Sequence, residues 1–185
     1  MNKTVELEKL NQEIRNCKKC LLWKTRINTV PGERPANAKI ILAGQAPGSE
    51  EDKTGRPFVG RAGRFLNQLL RIANIKREKV FITSPIKCFP PKNRKPTEKE
   101  IETCLPYLKK QIKIINPQRF ILLGEVAFSA FFPNKKLGDY RGKLVKKDGR
   151  EYFVTYHPTA GIRFQKFRKI LEKDFKKIGK TIKGF

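Results

Sequence analysis

A chain of 185 residues is long enough to bury one sizeable hydrophobic core and is most simply a single domain. Forty-two Lys and Arg against seventeen Asp and Glu leave a formal net charge of +25, a field that attracts polyanions, with DNA or RNA the commonest. The surface of a hyperthermophile would mix Lys with Glu, and here Glu does not keep pace. The apolar runs fall far short of a membrane span, no apolar N-terminal stretch reads as a signal peptide, and four cysteines are too few to staple a secreted fold. A soluble, intracellular (cytoplasmic) chain with no membrane partner is expected. Its basic residues run from Lys18 and Lys19 to the C-terminal "KKIGKTIKGF", as on a positive face of one folded domain, 1–185, rather than on a disordered arm.

In chain order, Val5, Leu7, Leu10 and Ile14 recur at helical spacing behind Thr4 as a cap, and predict a helix ending near Cys17. "KIILA" at 39–43 reads as a buried strand and runs into "GQAPGSEEDKTGRPFVGRAG", 44–63, which predicts a glycine-rich loop. A helix follows from Gly63 to Ala73, with Phe65, Leu66, Leu69, Leu70 and Ile72 on its apolar side. "KVFIT" at 79–83 is a second strand. Thr97 and Glu100 stand in capping-box spacing at the head of a long helix whose Ile101, Leu105, Leu108, Ile112 and Ile115 keep period despite Pro106. "RFILLG" at 119–124 is a third strand and "EVAFSAFF" a short helix. "GKLVKKDGREYFVTY" predicts a hairpin turning at Asp148 and Gly149, its second arm entering the sheet as a fourth strand. Phe164, Phe167, Leu171, Phe175 and Ile178 share one face of a final helix.

Strands alternating with helices imply an α/β fold: right-handed crossovers and a central four-stranded, mainly parallel sheet covered on both faces. Ligands of such sheets bind outside the carboxyl ends of the strands. "GQAPG", "SPIKCFPPKNR", "GEVA" and "HPTAGIR" each follow a strand, so topology gathers them on one rim. The glycines from Gly44 to Gly63 fit neither a P-loop nor a dinucleotide fingerprint, which argues against a nucleotide cofactor. Phe58, set between Pro57 and Val59 in that loop, is a stacking platform for a flat ligand such as a base. His157, the one histidine of the chain, stands at the same rim, where an imidazole can donate a hydrogen bond to negative charge on a departing group. "CFPPKNRKP" is a rigid basic loop that turns Lys92, Arg94 and Lys95 toward phosphates. Cys17 and Cys20 stand in ligand spacing, with Cys88 and Cys104 far along the chain; the residue types permit tetrahedral zinc or a [4Fe–4S] cluster, and common structural zinc is the first expectation.

Taken together, "GQAPGSEEDKTGRPFVGRAGRFL", "FITSPIKCFPPKNRKPT", "YHPT" and the quartet Cys17, Cys20, Cys88 and Cys104 closely resemble the iron–sulfur-containing uracil-DNA glycosylases of thermophilic archaea and bacteria, family four. The resemblance covers nearly the whole chain. It implies a three-layer α/β/α sandwich and replaces the zinc expectation with a structural [4Fe–4S] cluster on the four cysteines. It implies excision of uracil from DNA for base excision repair, after flipping the nucleotide out of the helix and leaving an abasic site. Gly44, Gln45 and Ala46 would line the edge of the base, Glu50 would line the same pocket, Phe58 would stack on the base, and His157 would bond the pyrimidine oxygen that gains charge. Lys92, Arg94 and Arg163 would contact DNA, single- or double-stranded, with Ile162 and Arg163 as a wedge into the vacated space. The protein is expected to act as a monomer, and no tail motif marks a sliding-clamp contact.

Two positions depart from the family pattern. An acidic residue usually stands where this chain has Gln45, and asparagine commonly where it has Ser84. Glutamine can position water but is a poor general base, and serine reads less of a base's edge than an amide does. A glycosylase for hypoxanthine or xanthine, and a catalytically silent iron–sulfur nucleic-acid-binding module, are the alternative expectations.

Overall fold

The computed structural model describes residues 2–33 and 35–181; the last four residues of the basic C-terminal stretch lie outside the described residues. Its centre is a sheet of β1 (Ile40–Ala43), β2 (Val80–Thr83), β3 (Arg119–Leu123), β4 (Leu144–Lys147) and β5 (Arg150–Thr155), in the order β2-β1-β3-β5-β4. The first four in that order are parallel, and β4 is antiparallel to β5. The sheet thus has five strands where four were expected. The first arm of the hairpin at Asp148 and Gly149, which adopts positive φ at both residues, extends the sheet as an edge strand, because β5 offers it a free row of backbone groups. Its Lys146 and Lys147 are exposed, as suits an edge kept from pairing with other chains.

Side chains alternate between the two faces of the central strands, both faces are covered, and three layers result. Ile40, Leu42, Val80, Ile82, Ile121, Leu123 and Phe153 point to one side, where α3 (Arg61–Ile72) and α8 (Gln165–Thr181) cover them with Phe65, Leu66, Leu69, Leu171, Phe175 and Ile178. Ile41, Phe81, Phe120, Leu122 and Val154 point to the other, against α1 (Lys3–Arg15), α4 (Glu98–Ile115) and α5 (Glu125–Phe131). The capping box forms at the head of α4: Glu100 N donates to Thr97 Oγ1 at 3.2 Å and Thr97 N donates to Glu100 Oε2 at 2.8 Å. Pro106 is tolerated inside α4 because it lies on the exposed face, as does Glu102, whose carbonyl loses its helical partner and can turn to water.

Three short helices stand where the sequence reads as loop: α2 (Ser49–Thr54), α6 (Leu137–Tyr140) and α7 (Pro158–Arg163). None is long enough to show an amphipathic period. Phe164 is not on the buried face of the last helix; it precedes α8 and is 59 % exposed. No helix among the described residues is long and apolar enough to cross a membrane.

Register aligns Ala43 with Thr83 and Leu122, and Leu123 with Thr155. The residues that follow, Gly44, Ser84, Gly124 and His157, therefore leave the sheet at one rim. Truncating Leu66, fully buried between α3 and the sheet, to alanine is expected to destabilise the fold by about 2–5 kcal/mol, read as a lower midpoint of chemical denaturation with an unchanged slope.

Candidate active site

The glycine loop is held by its own backbone and by one carboxylate. Gly44 N donates to Thr83 O at 2.9 Å, continuing the sheet one residue past β1. The chain then forms α2, leaves it through Gly55, and reaches Phe58, which sits in the left-handed region at φ 52°. Two contacts fix that unusual backbone. Arg77 Nη2 donates to Pro57 O at 2.8 Å, immediately before the turn. Phe58's carbonyl oxygen lies where a side chain at Gly63 would begin, 1.8 Å from the Cβ position, so only glycine lets the first turn of α3 pass so close. Glu51 ties the two ends of the loop together. It accepts from Gly48 N at 3.0 Å at the head of α2, and from Val59 N at 2.8 Å and Gly60 N at 2.9 Å at the head of α3.

His157 enters the same space from the end of β5. It caps α7, and its Nδ1 accepts from Thr159 N at 3.3 Å and faces Thr159 Oγ1 at 2.9 Å. With Nδ1 an acceptor, the proton of the neutral ring resides on Nε2. Nε2 lies 3.8 Å from where a Cβ on Gly44 would stand, and the ring of Phe58 comes within 2.7 Å of that same point. The Phe58 and His157 rings are stacked, centroids 5.7 Å apart and planes 29° apart. Flat aromatic, side-chain-free turn and imidazole therefore converge, and Phe58 covers Gly44.

The other expected residues divide. Gln45 is half-buried beside Gly44, whereas Ala46 packs toward the apolar cluster that contains the cysteines. Ser84 is buried at the rim, and its hydroxyl is already donated to Ile86 O. Glu50 is exposed and paired with Lys53 at 2.9 Å; its neighbour Glu51 organises the loop. Arg94 is not free to meet phosphates with its full fork, since it binds Glu100 through two hydrogen bonds of 2.9 and 2.7 Å and so clamps the basic loop to α4. Lys92, at φ 57°, and Arg163, at the end of α7, are exposed. Ile162 packs on the core, and the exposed apolar side chain beside Arg163 is Phe164.

Away from this turn, Cys17, Cys20, Cys88 and Cys104 line one pocket with Ile14, Tyr107, Arg26 and Lys87. All four are free thiols. Burial pushes the Cys104 thiol up to about 12 and raises Cys88 as well, which argues against free nucleophilic thiolates at either position. No group of three or more Cys, His, Asp or Glu among the described residues is arranged to hold a single metal ion. The four thiols nonetheless border one pocket, a donor set of the kind that binds a metal or an iron–sulfur group.

The uracil DNA glycosylase superfamily matches residues 31–178. The chain belongs to that superfamily. It is 46 % identical over 184 residues to a type-4 uracil-DNA glycosylase of Sulfurisphaera tokodaii, covering 93 % of this chain and 83 % of the relative. A type-4 uracil-DNA glycosylase of Thermotoga maritima is 40 % identical, covering 96 % and 95 % of the two chains. A type-5 uracil-DNA glycosylase of Pyrobaculum aerophilum is 31 % identical over 74 % of this chain and 68 % of its own.

For a uracil-DNA glycosylase superfamily member, Glu51 and Gly124 are the site residues that sequence reasoning missed. Glu51 stands three residues after Gly48, the spacing of a capping box, but a glycine cap conceals the pattern. Gly124 ends β3 at φ 84°, and a Cβ there would lie 2.9 Å from His157 Cβ, so its bareness lets the histidine reach the turn.

Burial pushes the His157 pKa down from 6.5 to about 4. A depressed histidine stays neutral in the folded chain while the unfolded chain gains a proton, so stability is expected to fall as pH drops from about 6.5 toward 4, and not above that window. Because the chain has one histidine, an NMR titration of its ring reads this directly: a midpoint near 4, with no transition near 6.5. Gly124→Ala should push the ring outward and return that midpoint toward the ordinary value.

Proposed function

We propose that this protein is a DNA repair glycosylase that hydrolyses the N-glycosidic bond of deoxyuridine, releasing uracil and leaving an abasic site. The observation that carries the reading is the convergence of Gly44, Phe58 and His157 Nε2 within a few ångströms at the sheet's carboxyl rim. Membership of the superfamily and near full-length likeness to type-4 uracil-DNA glycosylases support the same chemistry.

The basic surface gathers DNA, with Lys92 and Arg163 near the rim and exposed Phe164 as the wedge that fills the gap left by the flipped nucleotide. The extruded base displaces the ring of Phe58 from Gly44 and stacks on it. Cleavage breaks the bond between the sugar carbon and the base nitrogen, leaving the electron pair on uracil. His157, neutral, donates Nε2–H to the oxygen where that charge gathers. A charged imidazolium is not required, so the step runs at neutral pH. Water, positioned by Gln45, adds its oxygen to the sugar carbon, and its proton finishes on the released base. Cys17, Cys20, Cys88 and Cys104 would hold a [4Fe–4S] cluster, which when bound would tie the α1 end, the loop after β2 and α4 together and supply structure rather than a step of the hydrolysis.

Ser84 favours a second reading of base range. With its hydroxyl engaged by Ile86 O, discrimination rests on backbone groups, and hypoxanthine falls within the accepted set.

Single-lesion oligonucleotides carrying uracil or hypoxanthine, treated with alkali after incubation, test activity and base range together. Cleavage at uracil is expected, and His157→Ala should lower its rate by about 10²–10³ while DNA binding persists. Tight binding with no released base from either lesion would replace the enzyme by a silent binding module.

A further inference from the structure

The cysteine pocket has an electrostatic partner of its own. Arg26 Nη1 donates to Cys88 Sγ at 3.1 Å, across 62 residues of sequence, and its Nη2 donates to Arg15 O at 3.2 Å. Arg15 ends α1 two residues before Cys17. One planar side chain therefore joins the ligand from the loop after β2 to the backbone that leads into Cys17 and Cys20. A neutral thiol is a weak acceptor and gives a guanidinium little reason to stay; a thiolate bound to iron, carrying net negative charge, gives it a strong one. Lys87 immediately precedes Cys88 in the chain. It is 1 % exposed, lines the pocket, and donates to Thr83 Oγ1, to Gln111 Oε1 at 2.7 Å and to Pro31 O at 3.1 Å, all neutral oxygens. No carboxylate lines the pocket. Three basic residues, Lys19, Arg26 and Lys87, around four sulfurs with no acid in the lining make an environment suited to an anion.

We propose that Arg26 is the direct hydrogen-bond partner of the cluster through Cys88, and that this contact stabilises the cluster's more negative, reduced form. The inference rests on the [4Fe–4S] reading above. An electron added to a thiolate-bound cluster increases its negative charge, so a cation hydrogen-bonded to a ligand sulfur favours the reduced state more than the oxidised one and raises the potential.

The test uses full-length protein purified without oxygen, its iron and sulfide quantified, then titrated electrochemically with an electrode as the electron source. Arg26→Met, loaded with iron, should show a reduced-to-oxidised ratio about tenfold lower at the wild-type midpoint, about 59 mV for one electron, a shift that a purely bracing role would not produce. An unchanged potential in the loaded variant overturns the proposal. Should Arg26→Met fail to hold iron, Arg26→Lys decides: retention shows that charge at this position secures the cluster, and loss shows a brace of shape alone, which also overturns it. A wild-type protein without iron defeats the cluster reading and this inference with it, whereas an iron-loaded wild type indifferent to residue 26 defeats this inference only.

Discussion

One carboxylate holds the site together. Glu51 accepts backbone N–H groups from the start of α2 and from the start of α3, so both ends of the glycine loop close on a single side chain. Between those ends the chain makes a left-handed turn at Phe58, which a non-glycine residue adopts only when its surroundings over-determine it. Arg77 on the preceding carbonyl and the bare Cα of Gly63 supply that determination. The backbone that carries the aromatic ring is thereby fixed beside Gly44 by contacts made elsewhere, which leaves the side chain free to swing, and the loop can be both glycine-rich and defined in shape.

Rigidity of this kind explains how the imidazole and the ring meet without a hydrogen bond between them. His157 is fixed by Thr159 on one nitrogen and by the close passage of Gly124 behind its Cβ. Phe58 is fixed by its backbone. Each is set by its own neighbourhood, and the parallel register of β1, β3 and β5 brings the two neighbourhoods to one edge. In the proposed reaction, a neutral imidazole held this way donates a hydrogen bond where charge accumulates, already in position before the bond breaks. The cysteine pocket lies on the side of α1 and α4, within a separate apolar cluster against which Ala46 of the loop packs.

Much of this was legible in the residues. The strand runs, the capping box of α4 and the hairpin at Asp148 and Gly149 all formed, because buried apolar runs, cap spacing and turn chemistry act over a few residues. Phe58 and His157 could be placed at a common rim from topology alone. Glu51 could not be told from Glu50, since adjacent glutamates in a loop look alike until a short helix turns one inward and leaves the other paired with Lys53 in solvent. Arg94 read as a phosphate contact, and its fork is engaged by Glu100 six residues on.

The sequence by itself determined the layered α/β order, the glycine loop, the set of four cysteines and the excess of positive charge, because each is written in local pattern or in composition. Only the tertiary structure decided which acid knots the loop, that Gly124 clears the way for His157, that Arg26 reaches Cys88, and that a fifth strand extends the sheet at its edge. Those outcomes depend on atoms distant in sequence meeting within three or four ångströms, and no periodicity along a chain encodes such a distance.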